Sequence, residues 1–132
     1  MLRINGTPFM WASKLTSTTP LSTAESELLA LVDCSKAVQW ARGYLADIGF
    51  AQTEPTIIYE DNRAAESMAM TGKMSDRNRH FFDKVHYVND LVVAKVVEII
   101  RVETSLQLAD GLTKPLDAKT HELHFFGSGL MA

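Results

Sequence analysis

Residues 22–48 constrain the fold more than any other stretch of this chain. Ser22-Thr23-Ala24-Glu25 has the form of a capping box, in which the serine hydroxyl and the carboxylate three residues on satisfy free amides at a helix start. Glu27, Leu31, Cys34, Val38, Ala41 and Leu45 then recur at offsets that place all six on one helical face. Gly49 supplies the stop. A helix of this length with one apolar face needs a second layer to cover it. A carboxylate, Glu27, sits at the head of the stripe.

The rest of the sequence supplies that layer. Thr56-Ile57-Ile58-Tyr59-Glu60 is β-branched and apolar and reads as a buried strand, ended by Asp61-Asn62, with a helix over 63–70 after it. A polar loop over 71–78 holds Gly72, Lys73 and Arg77. Phe81, Phe82, Val85, Val88 and Val92 then recur at helical spacing and predict a second long helix. Residues 96–102 have strand composition, and 106–112 suit a short helix before Lys114-Pro115. At the start, a strand ending over 2–4, the turn signal Asn5-Gly6-Thr7-Pro8 and a short strand over 9–13 make a hairpin stub, joined to the long helix by a polar connector over 16–20. Residues 117–132 begin amphipathic and loosen around Gly127-Ser128-Gly129, a loosely packed tail. This alternation of strands and helices predicts a mixed α/β layer structure. At 132 residues, a single domain over 1–132 is expected.

Composition removes several classes. An apolar fraction of 46% with 22% charged residues, 7 Gly and 4 Pro excludes collagen-like and disordered chains. The single cysteine, Cys34, cannot form an internal disulfide and reads as a small core hydrophobe without chemistry of its own. Arg3, Asn5, Gly6 and Pro8 break any apolar run at the start, so no export signal is expected there. The most apolar stretch, 91–100, is interrupted by Lys95 and Glu98, far short of the roughly 20 residues needed to cross a bilayer, and no membrane partner is expected. With a net charge of −3, bulk attraction to phosphate is absent and nucleic-acid binding needs a local basic patch. Lys73, Arg77, Arg79 and Lys84, against Asp76 and Asp83, form a local surplus that suits phosphates or a solvated loop equally well. His80 and His86 lie six apart, do not share a helical face, and read as structural or surface residues.

Three acids fall at element ends that a layered fold can bring together: Glu27 near a helix start, Asp61 at a strand end, Asp110 on a late helix. Hard cations such as Mg²⁺ take oxygen ligands, and two ions about 4 Å apart stabilise both the attacking and the leaving oxygen of a phosphodiester displacement. Each acid also has a structural reading. Glu27 suits the positive end of a helix, Asp61 the N-cap of the helix that follows it, and Asp110-Gly111 a turn. Glu25 is the capping-box partner.

The segments Leu21-Ser22-Thr23-Ala24-Glu25-Ser26-Glu27-Leu28-Leu29-Ala30-Leu31, Ile58-Tyr59-Glu60-Asp61-Asn62-Arg63-Ala64-Ala65 and Gln107-Leu108-Ala109-Asp110-Gly111-Leu112-Thr113-Lys114-Pro115-Leu116 resemble, in order and spacing, the ribonuclease H domain that ends the polyprotein of copia-type retrotransposons. The Phe9–Lys14 and Arg79–Tyr87 segments resemble it too. The resemblance implies a five-stranded mixed sheet flanked by helices, and two-metal hydrolysis of the RNA strand in an RNA–DNA hybrid. By motif it makes Glu27, Asp61 and Asp110 the catalytic metal ligands for two Mg²⁺ ions, and the hybrid the partner. An intracellular place follows: cytoplasm, retroelement particle or nucleus.

The first of the family's four carboxylates has no counterpart, because residues 1–24 contain no Asp or Glu. In the family that residue lies on the first strand, central in the sheet. The resemblance therefore implies a ribonuclease H-like sheet with its first, central strand missing, and impaired hydrolysis. Unpaired amides in a buried gap cost on the order of a few kcal/mol each. Three ways out stay open: a fragment of a longer polyprotein, a strand supplied by another segment or by a second copy in a homodimer, or a rearranged fold. A non-catalytic remnant that binds nucleic acid or protein is the alternative function.

Overall fold

A computed structural model describes residues 1–13, 22–74, 76–112 and 115–128, with the backbone alone for 76–78 and 128. The connector expected over 16–20 and the end of the tail, 129–132, lie outside the described residues. The chain divides into two compact units, Thr16–Arg101 and Met1–Leu15 with Val102–Ala132.

The first unit is built on α1, Thr23–Asp47. Ser22 caps it from an extended backbone, its Oγ accepting the Glu25 amide at 3.2 Å. At the other end Gly49 takes φ +89°, and the amides of Gly49 and Phe50 bond back to the carbonyls of Ala46 (3.0 Å) and Leu45 (2.7 Å). This is the left-handed closure that only glycine adopts without strain. The buried face of α1 is Glu25, Leu28, Leu31, Val32, Ser35, Val38 and Ala41. The stripe expected from the spacing is thus rotated: Glu27, Cys34 and Leu45 lie half-buried at its flank. The face that is buried is the one meeting the two helices packed against α1, and spacing alone cannot select it.

Strand β3, Thr56–Glu60, pairs in parallel with β4, Val97–Arg101, in the register Thr56↔Val97 to Glu60↔Arg101. Parallel strands need a crossover. Here it comprises α2 (Arg63–Thr71), a 3-10 turn over Asp76–Phe81 and α3 (Phe82–Val93). The turn begins inside what the sequence predicts as loop. Ile58, Glu60, Val97 and Ile99 face inward, and Leu28, Met68, Phe81 and Val85 form a core cluster among the helices. The opposite sheet face stays open, with Ile57 46% and Tyr59 57% exposed, so β3 is buried on one face only, because the helices α1–α3 cover just that side. Arg42 ties α1 to the loop before β3, donating to the carbonyls of Glu54 and Gln52 at 2.7 Å each and to Thr56 Oγ1 at 3.0 Å.

In the second unit, β1 (Leu2–Ile4) pairs antiparallel with β2 (Thr7–Met10). The connection is a two-residue turn, Asn5 at φ 50° and Gly6 at φ 80°, which suits the twist of a tight hairpin. Thr7 therefore already pairs with Ile4, and the strand lies at Thr7–Met10 rather than over 9–13. Two 3-10 turns, Thr104–Leu106 and Leu108–Leu112, replace the short helix expected over 106–112. Residues 118–128 of the expected tail form α4, Ala118–Ser128. Asp117 caps it, accepting the amides of Lys119 and Thr120 at 3.1 Å each and the Thr120 hydroxyl at 2.6 Å.

The fold is mixed α/β, and the described residues hold four helices and two separate two-stranded sheets. Such a set is compatible with a ribonuclease H-like fold lacking one strand. No helix among the described residues is long and apolar enough to cross a membrane.

Candidate metal centre

The end of β3 organises the site. Strand alternation sends Ile58 and Glu60 inward, and Glu60 is only 5% exposed. Its Oε1 accepts the amide of Asn62 at 2.9 Å, which curls the carboxylate over the turn. Asn62 in turn caps α2, its Oδ1 accepting from Ala64 at 3.0 Å and Ala65 at 3.2 Å. The cap is therefore Asn62 and not Asp61, whose carboxylate is left for another use.

Glu27, one turn into α1, completes the group. One carboxylate oxygen from each of Glu27, Glu60 and Asp61 lies within 4.8 Å of the others, with Glu60 buried and the other two half-buried. Burial pushes the Glu60 carboxyl from its ordinary 4.5 up to about 7. The Asn62 amide pulls it back, while the charges of Glu27, Asp61 and Glu66 add to the rise. Three acids converging on one half-buried place repel each other, and a hard cation with oxygen ligands relieves that repulsion. The donor set fits Mg²⁺.

Two of the three acids singled out in the sequence, Glu27 and Asp61, are thus brought together. Asp110 belongs to the other unit, where it lies on the turn Leu108–Leu112, 8% exposed, its amide bonded to the carbonyl of Gln107 at 3.0 Å. Glu60 was not among the sequence candidates. Its signal was the period of two along β3, which puts it on the same face as Ile58.

The remaining candidates divide. Lys73 and Arg79 are exposed, while Lys84 is half-buried with Nζ 4.7 Å from the centre of the Phe81 ring. The side chain of Arg77 lies outside the described residues. Glu25 is only 2% exposed and stands 3.8 Å from His80 Nε2, and the His80 ring tilts against Phe81 at 4.4 Å. His86 tilts against Phe82 at 4.2 Å. Cys34 is half-buried, and burial pushes its thiol up, away from the thiolate a nucleophile requires.

No family model matches the chain, and no solved structure matches it. Among curated proteins, the chain is similar to the retrovirus-related Pol polyprotein from transposon RE1 of Arabidopsis thaliana, 31% identical over 109 residues, 83% of this chain and 7% of that protein. The polyprotein from transposon RE2 of the same plant is 30% identical over 109 residues, again 83% of this chain and 8% of the relative. That from transposon TNT 1-94 of Nicotiana tabacum is 26% identical over 123 residues, 93% of this chain and 9% of the relative. The chain spans less than a tenth of the length of each. Over most of its own length, then, this chain is homologous to a short stretch of transposon Pol polyproteins.

Proposed function

We propose that the chain is the ribonuclease H-like domain of a copia-type retroelement polyprotein, with Glu27, Glu60 and Asp61 as the carboxylate face that holds Mg²⁺. The convergence of these three acids within 4.8 Å carries the proposal. Kinship to Pol polyproteins supports the retroelement part. Glu27 enters from α1 and Asp61 from the end of β3, so the anchors sit on rigid elements, as a metal site requires. Asp110, on its own turn, is the further ligand that the motif implies. When bound, Mg²⁺ supplies an activated water and charge stabilisation at a phosphodiester. With its carboxyl raised to about 7, Glu60 would release its proton more readily with a bound cation beside it.

Residues 1–24 provide no carboxylate, so the chain by itself lacks one of the four anchors of the ribonuclease H pattern. Fewer ligands bind the ions more weakly and misplace them for in-line attack. The experiment pairs Mg²⁺ calorimetry with an assay on a labelled RNA–DNA hybrid. Mg²⁺ should bind the chain, bind much more weakly after Asp61→Asn, and support no cleavage. Absence of any Mg²⁺ binding contradicts the metal face, and robust cleavage abolished by Asp61→Asn contradicts the impairment.

A second reading, a non-catalytic binder of nucleic acid, draws on the exposure of Lys73 and Arg79. Salt-dependent hybrid binding that persists after Asp61→Asn favours it.

A further inference from the structure

Helix α4 and the turn Leu108–Leu112 meet through two glycines, one on each side. A methyl group placed on Gly111 of the turn would lie 3.3 Å from His124 Cβ and 3.6 Å from His124 Nδ1. On the helix side, a methyl placed on Gly127 would lie 3.1 Å from Leu108 Cδ2. Each element thus offers a side chain to the bare backbone of the other. The closeness is tighter than a Cβ at either glycine would tolerate without a shift of its neighbour.

His124 is 5% exposed, and its Nε2 lies 3.2 Å from the carbonyl of Ser105. A carbonyl only accepts, so Nε2 carries the hydrogen in this bond. Among the described residues, Nδ1 is the buried side-chain nitrogen or oxygen that has no hydrogen-bond partner. Leaving such an atom unpaired in the interior is unfavourable, so a histidine held there needs a reason beyond filling space. A leucine would fill similar volume without that cost, but it cannot tie the helix to Ser105.

We infer that His124 is a positioning residue for Asp110. It ties α4 to the chain ahead of the turn through Ser105 and packs against Gly111, the residue next to Asp110, so that the turn carrying the buried Asp110 is held at both places. The inference rests on the proposed ligand role of Asp110, and Gly111 is the position that lets the ring approach.

Nuclear magnetic resonance of the whole chain tests it. The imidazole nitrogens should show His124 as the Nε2–H tautomer, and the Nδ1–H tautomer would overturn the inference. Replacing His124 by Leu, or Gly111 by Ala, should speed exchange of the Asp110 amide roughly tenfold. His124→Gln, which keeps a donor toward Ser105, should restore most of the protection. Equal exchange in all four proteins, or a glutamine variant as loose as the leucine variant, overturns the positioning role. Mg²⁺ added to the same samples separates the two ideas: a turn that loosens as stated while its Asp110 signal ignores Mg²⁺ upholds the clamp and removes Asp110 from the ligand set.

Discussion

Glu60 accepts a hydrogen bond from the Asn62 amide at 2.9 Å, so a strand-end carboxylate is folded back over the turn that follows it. Asn62 meanwhile turns its own side chain forward to start α2. Between them, Asp61 is spared both the capping and the turn-closing work. Its carboxylate joins Glu27 and Glu60 instead.

This division of labour separates stability from binding. Asn62→Ala removes the cap and should destabilise the chain by about 1 kcal/mol. Asp61→Asn relieves repulsion among three acids and should leave stability level or raise it slightly. Urea denaturation of both variants checks this, and an Asp61→Asn loss as large as that of Asn62→Ala would contradict the assignment of the cap.

The elevated Glu60 pKa links stability to pH. With about 7 in the folded chain against an ordinary 4.5, the folded state binds the extra proton between those values. Its contribution is full below about 4.5 and is lost as pH rises through about 7. The loss should be on the order of 2 kcal/mol once solvent at the open side is allowed for. Denaturation midpoints at pH 5 and pH 8, without divalent ions, should converge in Glu60→Gln. An unchanged pH slope in that variant would falsify the shift.

Gly49 ends α1 at φ +89°, where a side chain is strained. Gly49→Ala should therefore cost about 1 kcal/mol although no atom lies within 4 Å of the added methyl. Gly43, inside the same helix and equally open, should gain from alanine by a similar amount. Opposite signs for the two substitutions in thermal melts are expected, and equal signs are not.

Among the basic residues, exposure orders the effects. Lys73→Ala and Arg79→Ala should each lower the salt dependence of hybrid binding by about one counterion. Lys84, over the Phe81 ring, should show its loss in stability instead, by about 0.5–1 kcal/mol. Binding isotherms at several salt concentrations, set beside melting curves, distinguish the two kinds of basic residue.

Much of the fold was legible because its punctuation is local. The capping serine, the Gly49 stop and the strand Thr56–Glu60 stand where the sequence predicts them, since each depends on neighbours a few residues away. The first hairpin strand stands where the sequence predicts it, and the second starts two residues earlier than predicted because the turn signal of four residues closes with only Asn5 and Gly6. The buried face of α1 depends on where α2 and α3 dock, which no spacing within α1 records. In the site, Glu27 and Asp61 were legible from their motifs. Glu60 was hidden by its place in an apolar strand, and His124 by a burial that arises only when α4 meets a distant turn.

Titration with Mn²⁺, a paramagnetic stand-in for Mg²⁺, tests the carboxylate face most directly by nuclear magnetic resonance. At substoichiometric ion, the amides around Glu27 and over 60–62 should broaden first, and Asp61→Asn should abolish that preference. Broadening spread evenly over exposed acids such as Asp33 and Asp47, indifferent to Asp61→Asn, would show that these three residues hold no ion.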